Sequence, residues 1–561
     1  MINDADVIVI GSGAGGLATA LCLARSGKKV IILEQHYVPG GWCQSFYVDG
    51  HRFSPGVHYI GAMDIGQNGS RVLEGLGVAN DLPFFRQNAK GYDHCVVGKE
   101  RFDMPANINR LIEYAQQRFP AERRDIKRYL QLVDLAQKEL HIVADLETFT
   151  DFITAPYRMR HLGKHALFSL QRVIDWHLKD PLLKTFLNMQ CGNHGLPPDK
   201  ASFALHAAVM GHYFDGGFYP AGGGGAIAKA FTKAIKQHGG EVITRARVAK
   251  ILVRGDKDNG QVYGVQLDDG RQILAPQVVS NADPGKTYQL VDQQYLGAKL
   301  LKRLQRTTYS VASLNMFLII DADLRKMGLD SGNIWYADRP DLNAIWRELM
   351  EGDPMANPEF PGMFISSPTL KDPAGFDGRY HSLETVTFIP YQYFSAFENS
   401  TTGRRPEAYL QLKQRLAEKV LRTLEGRIPG IRDAVVKWEL GTPLTNSYYV
   451  EGTLGNCYGT EKVLSQMGPM AFRPKTDIPG LYLCGSSTLS HGVMGAINSG
   501  ISTAAQILGV RRPLELLDND PSQEVKVYPA EHPESWPEWV VKKAAVKNRR
   551  VKEKEGERVR G

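Results

Sequence analysis

Apolar and polar residues at the start of the chain follow an order that predicts a strand, a helix and a second strand. The segment 6–10, apolar from Val7 onward, precedes the glycine-rich residues 11–16, and a second apolar run ends at Glu34. Short, wholly apolar runs between turn signals are typical of strands buried on both faces of a parallel sheet. The beginning of the chain therefore predicts a strand–turn–helix–strand unit with an acid at its end.

The same patterns divide the rest of the chain. Apolar residues at helical spacing predict helices over 108–118, 121–140, 162–178, 226–238 and 406–428. Alternating or continuous apolar runs predict strands over 241–244, 246–254, 261–267, 274–280, 313–320, 381–389 and 480–485. A chain of 561 residues exceeds a single core. We expect an α/β fold of two interleaved domains. A discontinuous Rossmann-type domain comprises residues 1–75, 218–300 and 441–512, and an α+β substrate domain comprises residues 76–217 and 301–440. An extension follows over residues 513–561.

The glycine turn has the spacing of a dinucleotide site. A first glycine allows the tight turn, a second lets the backbone approach a pyrophosphate, and a third lets the helix pack on the strand. The helix N-terminus offers N–H groups to the phosphates. Glu34 suits ribose hydroxyls and would repel a 2′-phosphate, so NADP is not expected here. The predicted binding residues of this unit are Gly11, Gly13, Ala14, Gly15, Gly16, Glu34 and Gln35.

A second glycine cluster, residues 222–225, opens the predicted helix 226–238 and offers an alternative dinucleotide site for NAD(P)H. Pro220 argues against it, because proline lacks the N–H that a central strand of the preceding sheet would need. A second dinucleotide site here is therefore disfavoured, and whether NAD(P)H is the electron donor stays open.

Several separated motifs together resemble the FAD-dependent phytoene desaturase and amine oxidase superfamily. These are the glycine pair Gly40-Gly41 and the strand–loop–helix pattern of residues 480–507. Residues 33–36, 40–43, 58–61, 278–283 and 443–445 are most similar to the retinol saturase and carotenoid isomerase branch. The resemblance runs to about Gly509 and implies a GR2-like flavoprotein with FAD as its cofactor.

The resemblance also implies further cofactor contacts. The glycine pair would approach the dinucleotide, the backbone of Val248 would hold the adenine, and the C-terminal loop and helix would bring N–H groups to the flavin ring. This adds the residues Gly40, Gly41, Val248, Gly485, Met494, Gly495 and Ala496 to the predicted site. Many superfamily members carry arginine beside the glycine pair, but Trp42 follows it here, so another group must supply that charge.

The sequence has no metal-binding motif and no nucleophile with an adjacent base. A flavin needs neither, because it carries hydride itself. The resemblance implies an apolar polyene substrate, with saturation expected ahead of isomerisation and desaturation. An amine-oxidase-like enzyme acting on a small substrate and a non-catalytic flavin- or pigment-binding protein are the alternatives. His58, Tyr59 and His491 are the candidate proton donors or flavin-tuning residues.

Aromatic residues are plentiful in the two substrate-domain segments, and we expect about two thirds of them to be core. They are Tyr157, Phe168, Trp176, Tyr213, Phe214, Phe218, Tyr219, Trp335, Trp346, Tyr391, Tyr393 and Phe394.

Charge is concentrated at the C-terminus. Residues 541–561 hold nine Lys/Arg and three Glu, a net +6 of the chain's total +7. A nucleic-acid-binding surface is therefore not indicated. The early first strand and the absence of a long apolar run favour a cytoplasmic protein without a leader or a spanning helix. We expect a helix from Ser535 onward, carrying Trp536 and Trp539, that attaches the protein peripherally to an anionic membrane face. A solvated, disordered tail is the alternative, because the apolar stripe is thin. A weaker second contact would come from the insertion around Tyr157. The electron donor is unknown.

Overall fold

A computed structural model describes residues 4–144, 154, 157–256 and 259–543. Its strands are β1 Val7–Ile10, β2 Val30–Glu34, β3 Phe46–Val48, β4 His51–Phe53, β5 Phe84–Arg86, β6 Asp93–Val97, β7 Glu100–Met104, β8 Phe218–Pro220, β9 Glu241–Thr244, β10 Val248–Arg254, β11 Gln261–Leu267, β12 Gln272–Leu274, β13 Gln277–Ser280, β14 Ala312–Ile320, β15 Asn333–Ala337, β16 Gly362–Ser366, β17 His381–Ile389, β18 Val435–Gly441, β19 Leu481–Leu483 and β20 Val527–Pro529.

The α-helices are Ala14–Arg25, Asn68–Gly75, Ile108–Arg118, Arg123–Ala144, Arg160–His165, Leu170–His177, Pro181–Asn188, Phe203–His212, Gly224–Gln237, Pro284–Gln289, Ala298–Arg306, Leu342–Glu351, Pro368–Lys371, Glu407–Glu425, Pro443–Val450 and Gly492–Leu508. The predicted helix 162–178 is two helices, because the Ser169 hydroxyl accepts from the Arg172 N–H and caps a new helix there.

A parallel five-stranded sheet with the order β19-β13-β1-β2-β9 forms the first layer. Successive residues of β1 point to opposite faces. Val7 and Val9 join a core made with the helices Ala14–Arg25, Gly224–Gln237 and Gly492–Leu508. Ile8 and Ile10 join another core, made with β10 and β11. Burial on both faces explains the continuous apolar runs in the sequence.

A mixed seven-stranded sheet forms the second layer, with the order β18-β14-β17-β16-β15-β6-β7. It unites two distant chain segments, because β6 pairs in parallel with β15. The helices Ile108–Arg118, Arg123–Ala144, Leu342–Glu351 and Glu407–Glu425 contribute to the same large apolar core. The strands of the two sheets come from the segments expected for the two domains, and the domain boundaries stay a prediction.

The first part of the C-terminal extension packs on the body of the protein. β20 pairs in parallel with β5, the indole N–H of Trp536 donates to the Pro529 carbonyl at 3.0 Å, and Val540 is fully buried. Only Trp539 of the two tryptophans is exposed, at 40%. A helix begins at Glu538, close to the predicted start, and part of its apolar face packs on the body. The membrane contact stays a prediction. Most of the basic tail lies outside the described residues. Within the described part, no helix is long and apolar enough to span a bilayer.

Candidate active site

One cavity of about 680 Å³ lies at the carboxyl edge of the parallel sheet and extends to the seven-stranded sheet. The strands β1, β2 and β13 end at this edge, where ligands of open α/β sheets bind. The predicted residues on its wall are Gly11, Gly13, Ala14, Gly15, Glu34, Gln35, Gly40, Gly41, His58, Tyr59, Val248, Gly485, His491, Met494, Gly495 and Ala496. Gly16 lies behind the wall, where an added Cβ would be 2.2 Å from the Gly11 carbonyl oxygen.

The glycine turn presents an uncapped helix to the cavity. Gly11 has φ +87°, a backbone conformation that side chains disfavour. The helix Ala14–Arg25 begins after Gly13 with no side-chain cap and no acid in its first turn. Its first N–H groups and positive dipole end are therefore suited to an anion such as a pyrophosphate.

Ser12 joins three parts of this end of the cavity. Its hydroxyl donates to Glu34 Oε2 at 2.6 Å and accepts from the Gly40 N–H at 3.0 Å. The Ser12 N–H also donates to Glu34 Oε2, at 2.9 Å. Glu34 is thereby held, buried, beside the glycine pair. Sequence reasoning missed Ser12, although its position between two motif glycines was a signal.

Packing against Asn281 is a second reason why positions 13 and 15 are glycine. A Cβ on Gly13 would lie 2.5 Å from Asn281 Nδ2, and one on Gly15 would lie 2.7 Å from Asn281 Oδ1 and 2.8 Å from Gly485 Cα. The Asn281 N–H donates to the Ile10 carbonyl at 2.9 Å, which ties β13 to the turn. Close packing against Asn281 and Gly485 therefore requires these glycines even without a bound phosphate. For Gly13, the sequence interpretation had considered only the approach of the ligand.

A second helix begins at the same cavity. Gly492–Leu508 follows His491 with no side-chain cap and no acid in its first turn, and residues 492–496 lie on the wall. It crosses the first helix closely, since a Cβ on Gly500 would be 2.3 Å from the Gly15 carbonyl oxygen. These groups fit FAD. The first helix end suits its phosphates, the buried carboxylate suits its ribose hydroxyls, and the second helix end suits a ring that gains negative charge on reduction.

Trp42 lies on the wall where the superfamily resemblance led us to look for an arginine. The basic side chains among the described wall residues are Arg247 and Lys286. Arg247 pairs with Glu451 at 2.6 Å. Lys286 is therefore the better candidate for the missing positive charge.

The second glycine cluster does not form an open anion site. The N–H groups of Gly224 and Gly225 donate to the hydroxyls of Ser54 and Ser45 at 3.0 and 2.9 Å. The preceding strand β8 pairs with β5, outside the parallel sheet. These serines occupy the donors that a second dinucleotide would need.

His58 forms a dyad with a buried carboxylate. Its Nδ1–H donates to Glu384 Oε2 at 2.9 Å, and Glu384 Oε1 accepts from the Ser54 N–H at 2.8 Å. Glu384 is 1% exposed. His58 Nε2 has no partner among the described residues, and His58 lies on the cavity wall. The carboxylate therefore orients the ring, with Nδ1 held toward Glu384.

Tyr59 and His491 are held through one residue, Asn193. The Tyr59 hydroxyl donates to Asp93 Oδ2 at 3.1 Å and accepts from Asn193 Nδ2 at 2.9 Å. His491 Nε2 donates to the Asn193 carbonyl at 3.0 Å. Burial raises the pKa of Tyr59 well above its usual range, and burial, aided by Lys462, lowers the pKa of His491 to about 4. His58 is therefore the best placed of the three to exchange a proton with a ligand. No sequence pattern indicated Glu384, Asp93 or Asn193.

The far end of the cavity, which we call the aromatic arm, is walled by aromatic rings. Trp335 packs on Phe364 with ring centroids 4.6 Å apart, and Trp346 stacks on Phe388 at 4.9 Å. Tyr213, stacked on Tyr59 at 4.3 Å, leads toward His58. Of the aromatic residues noted in the sequence, Tyr213, Trp335 and Trp346 lie on the wall.

The fold and cavity define a flavoprotein of the α/β dinucleotide-binding class, as expected from the sequence. Solved structures support this fold: putrescine oxidase bound to putrescine matches with a TM-score of 0.58 and 14% identity over 90% of this chain and 99% of that one. Cyclohexylamine oxidase from Brevibacterium oxydans matches with a TM-score of 0.54 and 15% identity over 90% and 100%. The chain belongs to the flavin containing amine oxidoreductase family, whose model matches residues 14–508. This family consists of FAD-dependent oxidoreductases.

Relatives in sequence carry two kinds of names. All-trans-retinol 13,14-reductase of Rattus norvegicus is 29% identical over 534 residues, which cover 90% of this chain and 85% of the relative. Prolycopene isomerase of Daucus carota is 28% identical over 548 residues, covering 91% and 82%. A Danio rerio relative named inactive all-trans-retinol 13,14-reductase is 25% identical over 543 residues, covering 92% and 87%. These findings confirm the predicted superfamily and its branch.

Proposed function

We propose that this protein binds FAD at the glycine-lined end of the cavity and saturates a carbon–carbon double bond of an apolar polyene, such as a retinoid or carotenoid. One observation carries the proposal: a single cavity connects two uncapped helix ends, the His58–Glu384 dyad and an aromatic arm. Isomerisation of a polyene is the second candidate, favoured by the relatives named prolycopene isomerase. Desaturation is the third.

Each part of the glycine-lined end has a binding role. The first turn of the helix Ala14–Arg25 would hold the pyrophosphate, Glu34 would accept from ribose hydroxyls, and the Val248 backbone would hold the adenine. The N–H groups of residues 494–496 would be available to the flavin ring. When bound, FAD supplies hydride from its N5 position.

His58 is the acid of the proposed reaction. Saturation adds a hydride to one carbon and a proton to its neighbour, so an acid must lie beside the polyene. With Nδ1–H bonded to Glu384, the ring keeps its Nε2 edge for the cavity. Tyr59 and His491, joined through Asn193, position the wall around the reacting bond. The aromatic arm binds the apolar chain and excludes water.

The test is anaerobic incubation of purified, dithionite-reduced protein with all-trans-retinol and, separately, with a carotene. A product heavier by two hydrogens supports saturation, an unchanged mass with a new retention time indicates isomerisation, and a lighter product indicates desaturation. No product from either polyene, with flavin oxidation by small amines, would favour an amine-oxidase-like enzyme. Bound pigment without any flavin redox change would favour a carrier.

Access to an insoluble substrate suggests a membrane contact at the C-terminus. Trp539 and Val541 are exposed beside Lys542 and Lys543. The segment 544–561, which is rich in Lys and Arg, follows directly. Because Trp536 and Val540 pack on the body, the informative truncation ends the chain at Lys543. Full-length protein should co-sediment with anionic liposomes at low salt, and the truncated chain should not. Equal sedimentation of both would remove the tail from this role.

A further inference from the structure

An exposed apolar surface is formed by the helices Arg160–His165 and Leu170–His177 and the link between them. Leu167 in the link is 76% exposed, and Trp176 on the second helix is 50% exposed. Phe168 packs edge-on against Trp176 with ring centroids 4.9 Å apart, so these side chains form one surface. We call it the basic aromatic face, and its residues are Lys164, Leu167, Phe168, Arg172 and Trp176.

Cations lie beside the apolar side chains of this face. The Arg172 guanidinium lies 5.2 Å from the ring centroid of Phe168 and 5.6 Å from that of Trp176. Lys164, three residues before Leu167, is also exposed. Long cationic side chains can cover apolar surface with their stems while their charged ends stay in a polar layer. The face therefore combines protruding apolar groups with positive charge around them.

The positive charge of this region stands out from the rest of the chain. Residues 160–179 hold four Lys/Arg and one acid, a net +3. That acid, Asp175, pairs with Lys184 at 2.6 Å. With +6 in residues 541–561, a net −2 is left for all other residues of the chain. Positive charge is therefore concentrated here, as it is in the tail.

The basic aromatic face lies one helix away from the cavity. The Phe203 N–H donates to the Phe168 carbonyl at 3.0 Å, and Phe203 is the first residue of the helix Phe203–His212. Leu205 and Val209 on that helix lie on the cavity wall. A surface that contacts this face is therefore separated from the cavity by a single layer of helix.

We propose that the basic aromatic face docks on the surface of an anionic lipid bilayer, with Leu167 and Trp176 at headgroup depth and the cations beside the lipid phosphates. Apolar side chains flanked by Lys and Arg suit this depth. A second copy of the chain fits less well, because it would bring one net +3 surface against another. The inference rests on the proposed function for its purpose, since a bilayer is where an apolar polyene dissolves.

The face and the C-terminal tail are expected to act together. One reversible contact gives marginal membrane binding, whereas two contacts on the same protein give stable attachment. Loss of either contact should therefore release most of the protein from vesicles. Sedimentation alone does not locate the docked surface, so the test must report on the face itself.

The test attaches an environment-sensitive fluorophore to full-length Leu167→Cys, in the absence of any polyene. Five of the native cysteines are buried and Cys457 is half-buried, so the new surface thiol reacts first, and wild-type protein treated alike gives the background. Vesicles of phosphatidylcholine and phosphatidylserine at low salt should shift the emission to shorter wavelength. Vesicles of phosphatidylcholine alone should not.

Leu410 provides the matched control position. It is 49% exposed, and Lys413 on the same helix pairs with Glu439 of β18, at the edge of the seven-stranded sheet opposite to β7. Phe186, which follows the basic aromatic face in the chain, stacks on Phe102 of β7 at 5.1 Å. The two positions therefore lie toward opposite edges of the sheet, and a fluorophore on Leu410→Cys should not respond.

Removing the apolar side chains gives a second measurement. Full-length protein with Leu167→Gln and Trp176→Gln should partition onto the anionic vesicles at least about tenfold less, because two side chains no longer leave water. Both positions are exposed, so the fold does not depend on them. Tyr47→Gln with Leu410→Gln, at two other exposed positions, should leave the partition unchanged. An unchanged partition in the first pair would contradict the inference.

The fluorophore at position 167 decides between the possible partners of this face. Unchanged emission with anionic vesicles overturns the inference, whether or not the protein sediments. A shift that grows with protein concentration without lipid means that the face binds a second copy, and an equal response to neutral vesicles means that the cations have no role; either result overturns it. Because no polyene is present, docking by a protein that converts no polyene would support this inference while the proposed function fails.

Discussion

The two ends of the cavity are built in different ways. At the glycine-lined end, the functional groups are mostly backbone N–H groups and one carboxylate, supplied by continuous motifs such as residues 11–16. At the opposite end, side chains from distant segments meet: His58 and Glu384 are 326 residues apart in the chain, and Asn193 and His491 are 298 apart. Cofactor binding can therefore be lost by crowding the backbone, whereas the reaction can be lost by changing single side chains.

The largest effect is expected from Gly15→Val, which breaks the glycine-lined end. The new side chain would clash with Asn281 Oδ1 at 2.7 Å and with the Gly485 backbone at 2.8 Å, which cannot retreat cheaply. Flavin affinity should fall by at least about 100-fold, equivalent to roughly 3 kcal/mol. Flavin absorbance per mole of purified protein measures it. The control is Gly297→Ala, where an added Cβ meets nothing within 4 Å, and normal flavin content in Gly15→Val would contradict the assignment.

His58→Gln should break the opposite end while sparing the first. Loss of a positioned acid typically costs about 10²–10⁴-fold in rate, so polyene reduction should fall in that range with flavin content unchanged. Glu384→Gln, which keeps the shape but removes the charge, should lose less. Rates are measured by product formation under anaerobic conditions. A variant that loses flavin and activity together would argue against separate roles for the two ends.

His94, next to Asp93 on β6, should make the stability of the end of the cavity that holds His58 depend on pH. Burial disfavours the charged form of His94, but hydrogen bonds to Asp103 at 2.6 Å and Asp330 at 2.9 Å raise its pKa to about 9. Since the folded pKa exceeds the ordinary 6.5, the stabilisation is full below pH 6.5 and is lost as pH rises through 9. We expect a loss on the order of 1–3 kcal/mol, seen as a falling Tm. His94→Gln should have a lower Tm at pH 6 and a flatter profile, and parallel profiles would contradict this.

The smallest effect is expected from Ser12→Ala, which tests whether side chains matter at the glycine-lined end. It removes the hydroxyl between Glu34 and Gly40. A lost hydrogen bond to a charged group is worth about 1.5–3 kcal/mol at most, and the Ser12 N–H contact to Glu34 remains. Flavin affinity should therefore fall by about tenfold, measured by titration of the apoprotein. A loss as large as that of Gly15→Val would mean that this end depends on side chains after all.

Much of the fold was predictable because its signals are local. The strands 241–244, 261–267 and 381–389 have the predicted bounds. The helix 162–178 was wrong because Ser169 starts a new helix inside an apolar repeat. The packing of Val540 and Trp536 on the body was not predicted, because no local pattern reveals their apolar and hydrogen-bonding partners.

The sequence by itself determined the parallel sheet, the glycine turn and the family, because each is encoded by neighbouring residues whose spacing follows from backbone geometry. Only the tertiary structure decided which polar side chains work together. Glu384 and Asp93 lie in strands whose patterns indicate only burial. Their meaning depends on a low-dielectric interior in which distant chain segments bring charges within a few ångströms of each other.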